Sequence, residues 1–223
     1  MKPLQHDQRY GEMDQVVRAY LGRPAADTPE QRSDALDAYL RHTRPWAVAV
    51  AERQLRDYAD NPPGRLRLRL GEFYPLPDLG LEESRVRDWL LTVADHLRRS
   101  VAEGDVPPPG PPRTHWEWHA RFPELGQFLG GWFSQDMPDE FGDHEAAVQD
   151  YLDTTGPALA ARLAGEVYEL LALPLEESDY AVAVAELGME VEPPTPCSPG
   201  AWLARLGARL TGLRPRYGPP SPP

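Results

Sequence analysis

Cysteine is nearly absent from this chain of 223 residues: Cys197 stands alone, so no internal disulfide framework can staple the fold, and a reducing compartment such as the cytoplasm is expected. Lysine is nearly absent too, Lys2 being the single one against 22 arginines. No run of about 18 apolar residues occurs, and the opening MKPLQHDQRYGEM has no apolar stretch of signal-peptide type, so neither a membrane span nor secretion is expected. Gly-x-Ser-x-Gly, a phosphate-cradling glycine loop and the Rossmann fingerprint are all missing. Nucleophilic, nucleotide-dependent and dinucleotide chemistry therefore lose their usual signatures, and the expectation is a protein without enzymatic activity.

Two segments invite a metal reading. His115-Trp116-Glu117-Trp118-His119 sets two histidines at i and i+4 on one helical face, yet no further ligand follows at zinc spacing. A packed helix bearing Trp116 and Trp118 is the better reading. The acidic run Asp136, Asp139, Glu140 and Asp143 lacks the Asp-x-Asp-x-Asp-Gly order of a calcium loop. No metal and no cofactor are expected.

What the chain does contain is a repeat. Residues 10–62 align with 122–174 at a constant offset of 112 with no gap, and ten of the 53 pairs are identical, among them Glu12/Glu124, Tyr39/Tyr151, Thr43/Thr155 and Pro45/Pro157. Apolar positions agree as well: Tyr10, Met13, Val16 and Val17 face Phe122, Leu125, Phe128 and Leu129. Self-similarity over this length predicts one structural unit written twice. A residue present in one copy only is then a better functional candidate than one both copies need for packing.

Within each copy apolar residues recur at i, i+3, i+4 and i+7, the helical period. Thr28-Pro29-Glu30-Gln31 reads as a capped helix start in the first copy, with Asp143 as the cap of its counterpart. Thr43-x-Pro45 and Thr155-x-Pro157 open a third helix running to about Ala59 and Ala172. A shorter fourth helix ends at Leu70-Gly71 and Leu187-Gly188, followed by short extended stretches, EFYPLP and MEVEPP. Trp89-Leu90 and Trp202-Leu203 lie in a closing helix. The fold class is all-α, two tandem bundles of about five helices each, related by internal duplication. The expected boundaries are a first domain at 1–104, a proline-rich linker at 105–118 around VPPPGPP, a second domain at 119–212, and a disordered tail at 213–223.

Charge distinguishes the copies. Residues 1–110 carry 16 basic and 18 acidic side chains, whereas 111–223 carry seven and 17, so the net charge of −12 is concentrated in the second half. Between Phe122 and Ala204 there are 16 carboxylates and one cation, Arg162. Such a field repels nucleic acid and attracts a basic protein; a merely solubilising acidic surface is the plainer alternative. Gly130-Gly131 interrupts a helix where the first copy has Arg18-Ala19. Each glycine costs about 1 kcal/mol relative to alanine, which close packing or the approach of a partner would have to offset.

The second copy resembles the small helical CdiI-type immunity proteins. The features that carry this are F-P-E-L-G-Q-F-L-G-G-W-F-S-Q-D at 122–136, the acidic stretch after it, and the late Trp202-Leu203. The first copy shares the apolar skeleton only, with Arg18-Ala19 for the glycine pair and Pro24 for Asp136. The resemblance implies a cytoplasmic antidote that is not an enzyme and that binds the toxic domain of a contact-delivered toxin, with no role for nucleic acid or membrane. Many such toxic domains are nucleases and must be basic to hold phosphates, so an acidic partner is complementary. The candidate partner-binding residues are Asp136, Asp139, Glu140 and Asp143, with Asp150 and Asp153. Asp136, Asp143, Asp150 and Asp153 face Pro24, Gln31, Ala38 and Arg41 in the first copy. A tandem helical adaptor with a groove for a partner is the alternative.

Overall fold

The computed structural model describes residues 3–62 and 81–212. The expected first-copy helix ending at Leu70-Gly71, the EFYPLP stretch and the tail at 213–223 lie outside them. All regular structure in the described residues is helical, and the chain divides into two compact units, Met1–Pro112 and Arg113–Pro223.

The first unit contains α1 (Pro3–Ala19), α2 (Asp34–His42), α3 (Pro45–Asp60), a 3-10 turn at Glu83–Arg85 and α4 (Val86–Glu103). α3 is its centre, packed against both α1 and α4. Tyr10, Met13, Leu36, Tyr39, Leu55, Tyr58, Leu90 and Leu97 are fully or almost fully buried around it, and Tyr10 meets Tyr58 edge to face at 5.1 Å. At about 1.5–3 kcal/mol for each large apolar side chain, this burial holds the helices together.

The second unit runs α5 (His115–Arg121), α6 (Pro123–Trp132), α7 (Met137–Glu140), α8 (His144–Thr154), α9 (Pro157–Leu171), α10 (Glu177–Glu186) and α11 (Pro199–Leu210). Here α9 is central, against α6 and α11. Phe128, Phe133, Tyr151 and Trp202 form a chain of edge-to-face rings, with Phe128 4.8 Å from Tyr151 and Phe133 5.2 Å from Trp202.

Details recur at the offset of 112. α1 leaves helical geometry at Tyr10 (φ −131°, ψ 16°), and Phe122 (φ −123°, ψ 58°) separates α5 from α6. In the second unit the break follows from Pro123, whose ring disfavours helical backbone in the residue before it. Beside each break the same arginine pairs with the central helix. Arg9 donates through Nε and Nη2 to Asp57 Oδ2 at 2.9 and 2.7 Å, and Arg121 Nε donates to Glu169 Oε1 at 2.8 Å. Each guanidinium also covers the adjacent ring, Tyr10 or Phe122. Three residues after each break, the Met13 N–H donates to Gln54 Oε1 at 2.9 Å and the Leu125 N–H donates to Glu166 Oε2 at 2.8 Å. Arg9 holds the Asp57 carboxyl below the usual carboxylate range, while burial, with Asp57 accepting from the hydroxyl, pushes Tyr10 up to about 12.

The structure moves three of the expected helix starts. Helix α2 begins at Asp34, where Ser33 caps the Leu36 N–H, and not in Thr28–Gln31. Those four residues close a turn of their own, Gln31 N–H bonding Thr28 Oγ1 at 3.1 Å. Outward carbonyls of the turn are taken by α4: His96 Nε2 donates to Thr28 O at 2.7 Å and Arg99 to Pro29 O at 2.9 Å. Thr43 and Thr155 close α2 and α8 instead of opening the next helix. α3 and α9 start at Pro45 and Pro157, first-turn positions where the missing N–H costs nothing. Their ends, Asp60 and Leu171, fall within a residue of expectation. AVAVAEL is helical, within α10 and its cap, and Gly188 follows with φ +96°.

Residues 105–112 lie against the first unit: Arg32 Nη1 donates to Asp105 Oδ2 at 2.7 Å and Arg41 Nε to the Pro108 carbonyl at 3.0 Å. From Thr114, whose hydroxyl caps the Glu117 N–H, the chain is helical and Trp118 is buried in the second core.

Candidate functional site

Between α6 and α8 the chain makes a ten-residue excursion, 133–143 less its buried first residue, that carries four of the six candidate carboxylates. Its base is fixed from below. Phe133 and Met137 are buried, the Glu190 N–H donates to Phe133 O at 2.9 Å, and Glu190 Oε2 accepts from the Gln135 N–H at 2.9 Å. His144 Nε2 donates to Glu192 O at 2.8 Å on the far side. The segment after α10 thus clamps both ends of the acidic stretch, and Gly142 at φ +83° turns the chain back into α8.

On this base Asp136, Asp139 and Glu140 are exposed, and among the described residues none of the three forms an ion pair. Three carboxylates within five residues, with no cation to neutralise them, form a local negative field that is only partly screened at short range. Asp143 sits beside them with its carboxylate already engaged, Oδ1 accepting from the Ala146 N–H at 2.9 Å as the expected cap of α8. Asp150 and Asp153 stand on α8, apart from the excursion in sequence. The half-buried Asp150 accepts from the Trp132 indole N–H at 3.0 Å, and Asp153 accepts from Gln149 Nε2 at 2.8 Å. The first four candidates are therefore neighbours along one clamped stretch, while Asp150 also serves packing.

The glycine pair faces outward. A β-carbon at Gly130 or Gly131 would meet nothing within 4 Å, so neither glycine is required by the close packing of its own side. The tight approach is at Gly188, where a β-carbon would stand 3.1 Å from Gly130 Cα.

One buried polar residue of this unit, Glu166, has no local signal in the sequence. Glu166 is 1% exposed and holds the start of α6. His119 Nε2 donates to the Glu186 carbonyl at 2.9 Å, and His115 Nδ1 lies 3.1 Å from Glu186 Oε2. Burial, with the second imidazole nearby, holds His119 below the usual histidine range. The two histidines thus tie α5 to α10, and Trp118 between them packs into the core. Among the described residues no group of three or more His, Cys, Asp or Glu is placed to hold a metal ion, and no helix is long and apolar enough to cross a membrane.

The second unit thus combines a net charge of −10 with a clamped acidic edge and an outward-facing glycine pair. Residues 121–210 match the family model of the CdiI immunity protein. The match covers α6 to α11 together with the end of α5. No curated protein and no solved structure matches the chain.

Proposed function

We propose that this protein is an antidote that binds and neutralises a cognate toxin domain in the cytoplasm of the cell that makes it. The toxin domain is a basic one, such as a nuclease, captured by the acidic edge of the second unit. The observation that carries the reading is the coincidence of the family match with the clamped excursion bearing Asp136, Asp139, Glu140 and Asp143. Asp150 and Asp153 extend the negative field along α8. Opposite charge raises the rate of encounter, up to about 10⁸ M⁻¹s⁻¹ or more at low salt, while a few desolvated anchors set the lifetime of the complex. The bare Gly130-Gly131 face offers a place where a partner backbone can approach closely.

The first unit is a diverged copy of the same fold. The repeated break at Tyr10 and Phe122, the repeated arginine pairs and the repeated Gln54 and Glu166 contacts support this reading. It lacks the acidic edge, with Pro24, Thr28 and Gln31 standing where the second unit has Asp136, Glu140 and Asp143.

The test is stopped-flow association with the toxin domain encoded beside this protein. Asp136→Arg, Asp139→Arg and Glu140→Arg are combined with Asp143→Asn, which removes the charge but keeps a capping side chain. The association rate at low salt should fall at least tenfold and lose most of its salt dependence. An unchanged rate at low salt sinks the assignment of the acidic edge.

A further inference from the structure

The two units set one aspartate in opposite ways. In the first unit the half-buried Asp27 anchors the segment between α1 and α2. Its Oδ2 accepts from the Tyr20 hydroxyl at 2.8 Å and from the Trp89 indole N–H at 3.2 Å, and its Oδ1 accepts from the Ser33 N–H at 2.8 Å. One carboxylate thereby ties together the chain leaving α1, the closing helix α4 and the cap of α2. Tyr20 is fully buried and Trp89 nearly so, and buried donors of this kind are costly to leave without an acceptor.

At the offset of 112 stands Asp139, the same residue in the opposite setting. It is exposed, and among the described residues its carboxylate accepts no hydrogen bond and joins no ion pair. The three donors that hold Asp27 have each gone elsewhere. Tyr20 is matched by Trp132, whose indole N–H goes to Asp150 Oδ2 at 3.0 Å. Ser33 is matched by Glu145, which is the second residue of α8 because that helix begins two positions earlier than α2 does. Trp89 is matched in the closing helix by Trp202, which is buried and whose indole N–H donates to none of the described residues. Asp150 has no carboxylate counterpart, since the aligned residue is Ala38, buried in the first core.

We infer that Asp150 is the positioning residue of the acidic edge: by taking the Trp132 indole it relieves position 139 of the anchoring that Asp27 performs, and so leaves Asp139 turned outward. A carboxylate on α8 supplies the acceptor that the end of α6 needs, and the carboxylate of the excursion is spared for the surface. The calling of Asp139 to the surface therefore depends on a residue that itself faces Trp132 and not the partner.

The converse setting is within reach of the same chain. Trp132 and Asp139 are seven residues apart, the separation across which Tyr20 and Asp27 bond in the first unit. The only regular structure between them is the start of α7, a helix of four residues, and a single isolated turn has little stability of its own. With Asp150 removed, the Trp132 indole loses its acceptor, and Asp139 turning inward is the replacement that the first unit already uses. The edge then loses one of its three unpaired carboxylates. That consequence rests on the acidic edge being the capture surface; the exchange of anchors does not.

The experiment is a double-mutant cycle on the full chain, read by the thermal midpoint and by the Trp132 indole signal in ¹H–¹⁵N spectra. In the unmodified chain Asp139→Ala should change neither, whereas Asp27→Ala should lower the midpoint and move the Trp89 indole signal. Asp150→Ala places the best helix former on α8, so the helix itself is not at risk. In that background Asp139→Ala should lower the midpoint further and shift the Trp132 indole signal. Asp150→Asn keeps an acceptor oxygen and should leave Asp139 uncoupled. Strictly additive midpoints with an unmoved Trp132 signal overturn the inference, as does an Asp139→Ala variant that by itself moves that signal. Coupling that persists in Asp150→Asn also overturns it, because the charge and not the acceptor would then set Asp139. No toxin enters these measurements, so the inference and the antidote reading fail separately.

Discussion

Glu166 offers the sharpest test of how the second unit is built. It is a buried carboxylate on the central helix α9, and it accepts the Leu125 N–H at 2.8 Å. Leu125 is the third residue of α6, whose own N-cap residue, Phe122, supplies no side-chain acceptor. The first N–H groups of a helix have no partner within it, so Glu166 caps α6 from 41 residues away. In the first unit Gln54 does the same for Met13 with a neutral amide, which shows what matters: an acceptor oxygen at that point. Glu166→Gln keeps the oxygen and should change stability by less than about 1 kcal/mol. Glu166→Ala removes a hydrogen bond to a charged acceptor, about 1.5–3 kcal/mol, and one buried methylene, about 0.8 kcal/mol. A loss of about 3 kcal/mol is expected. Guanidinium unfolding followed by circular dichroism measures both, and the Ala variant should lower the midpoint while leaving the slope unchanged. A Gln variant as damaged as the Ala variant refutes the reasoning, because the charge and not the acceptor would then be what α6 requires.

Three further outcomes follow from the same geometry. Gly130→Ala places its methyl in open space within a helix and should stabilise by up to about 1 kcal/mol; weaker toxin binding by this more stable variant would mark the bare face as a contact. Gly188→Ala should instead destabilise by about 1–2 kcal/mol, since φ is +96° and the new methyl would lie 3.1 Å from Gly130 Cα; equal thermal midpoints for the two variants would refute this. His119, held below the usual histidine range by burial, stabilises the fold in its neutral form. That contribution is complete above about pH 6.5, the unfolded value, and is lost as pH falls through the lower folded value. Urea midpoints should drop between pH 7.5 and 5.5, and His119→Gln, which can still donate to Glu186, should flatten the drop; an identical pH slope in the variant contradicts the assignment.

Some of this architecture is written locally and some is not. The starts of α3 and α9 are legible because a proline can occupy the first turn and little else of a helix, and Asp143 is legible as a cap because its bond to Ala146 spans three residues. Thr28–Gln31 misleads for the opposite reason. It has the composition of a helix start, but His96 and Arg99, about 70 residues later, take the carbonyls of Thr28 and Pro29 and keep the segment a turn. The candidate site divides in the same way. The charge of Asp136, Asp139 and Glu140 is plain in the sequence, while their support by Glu190 and Glu192 depends on a segment about 50 residues away. Asp150 reads as one more surface carboxylate until Trp132 is seen donating to it. Glu166 has no local signal at all; only the alignment with Gln54, once the contacts are known, explains a polar residue on the buried face of α9.

The most direct measurement is growth. Bacteria expressing the toxin domain encoded beside this protein should stop dividing, resume when the full chain is coexpressed, and stop again when the chain carries Asp136→Arg, Asp139→Arg and Glu140→Arg at equal abundance. Growth that the unmodified chain fails to restore contradicts the account of this protein as an antidote.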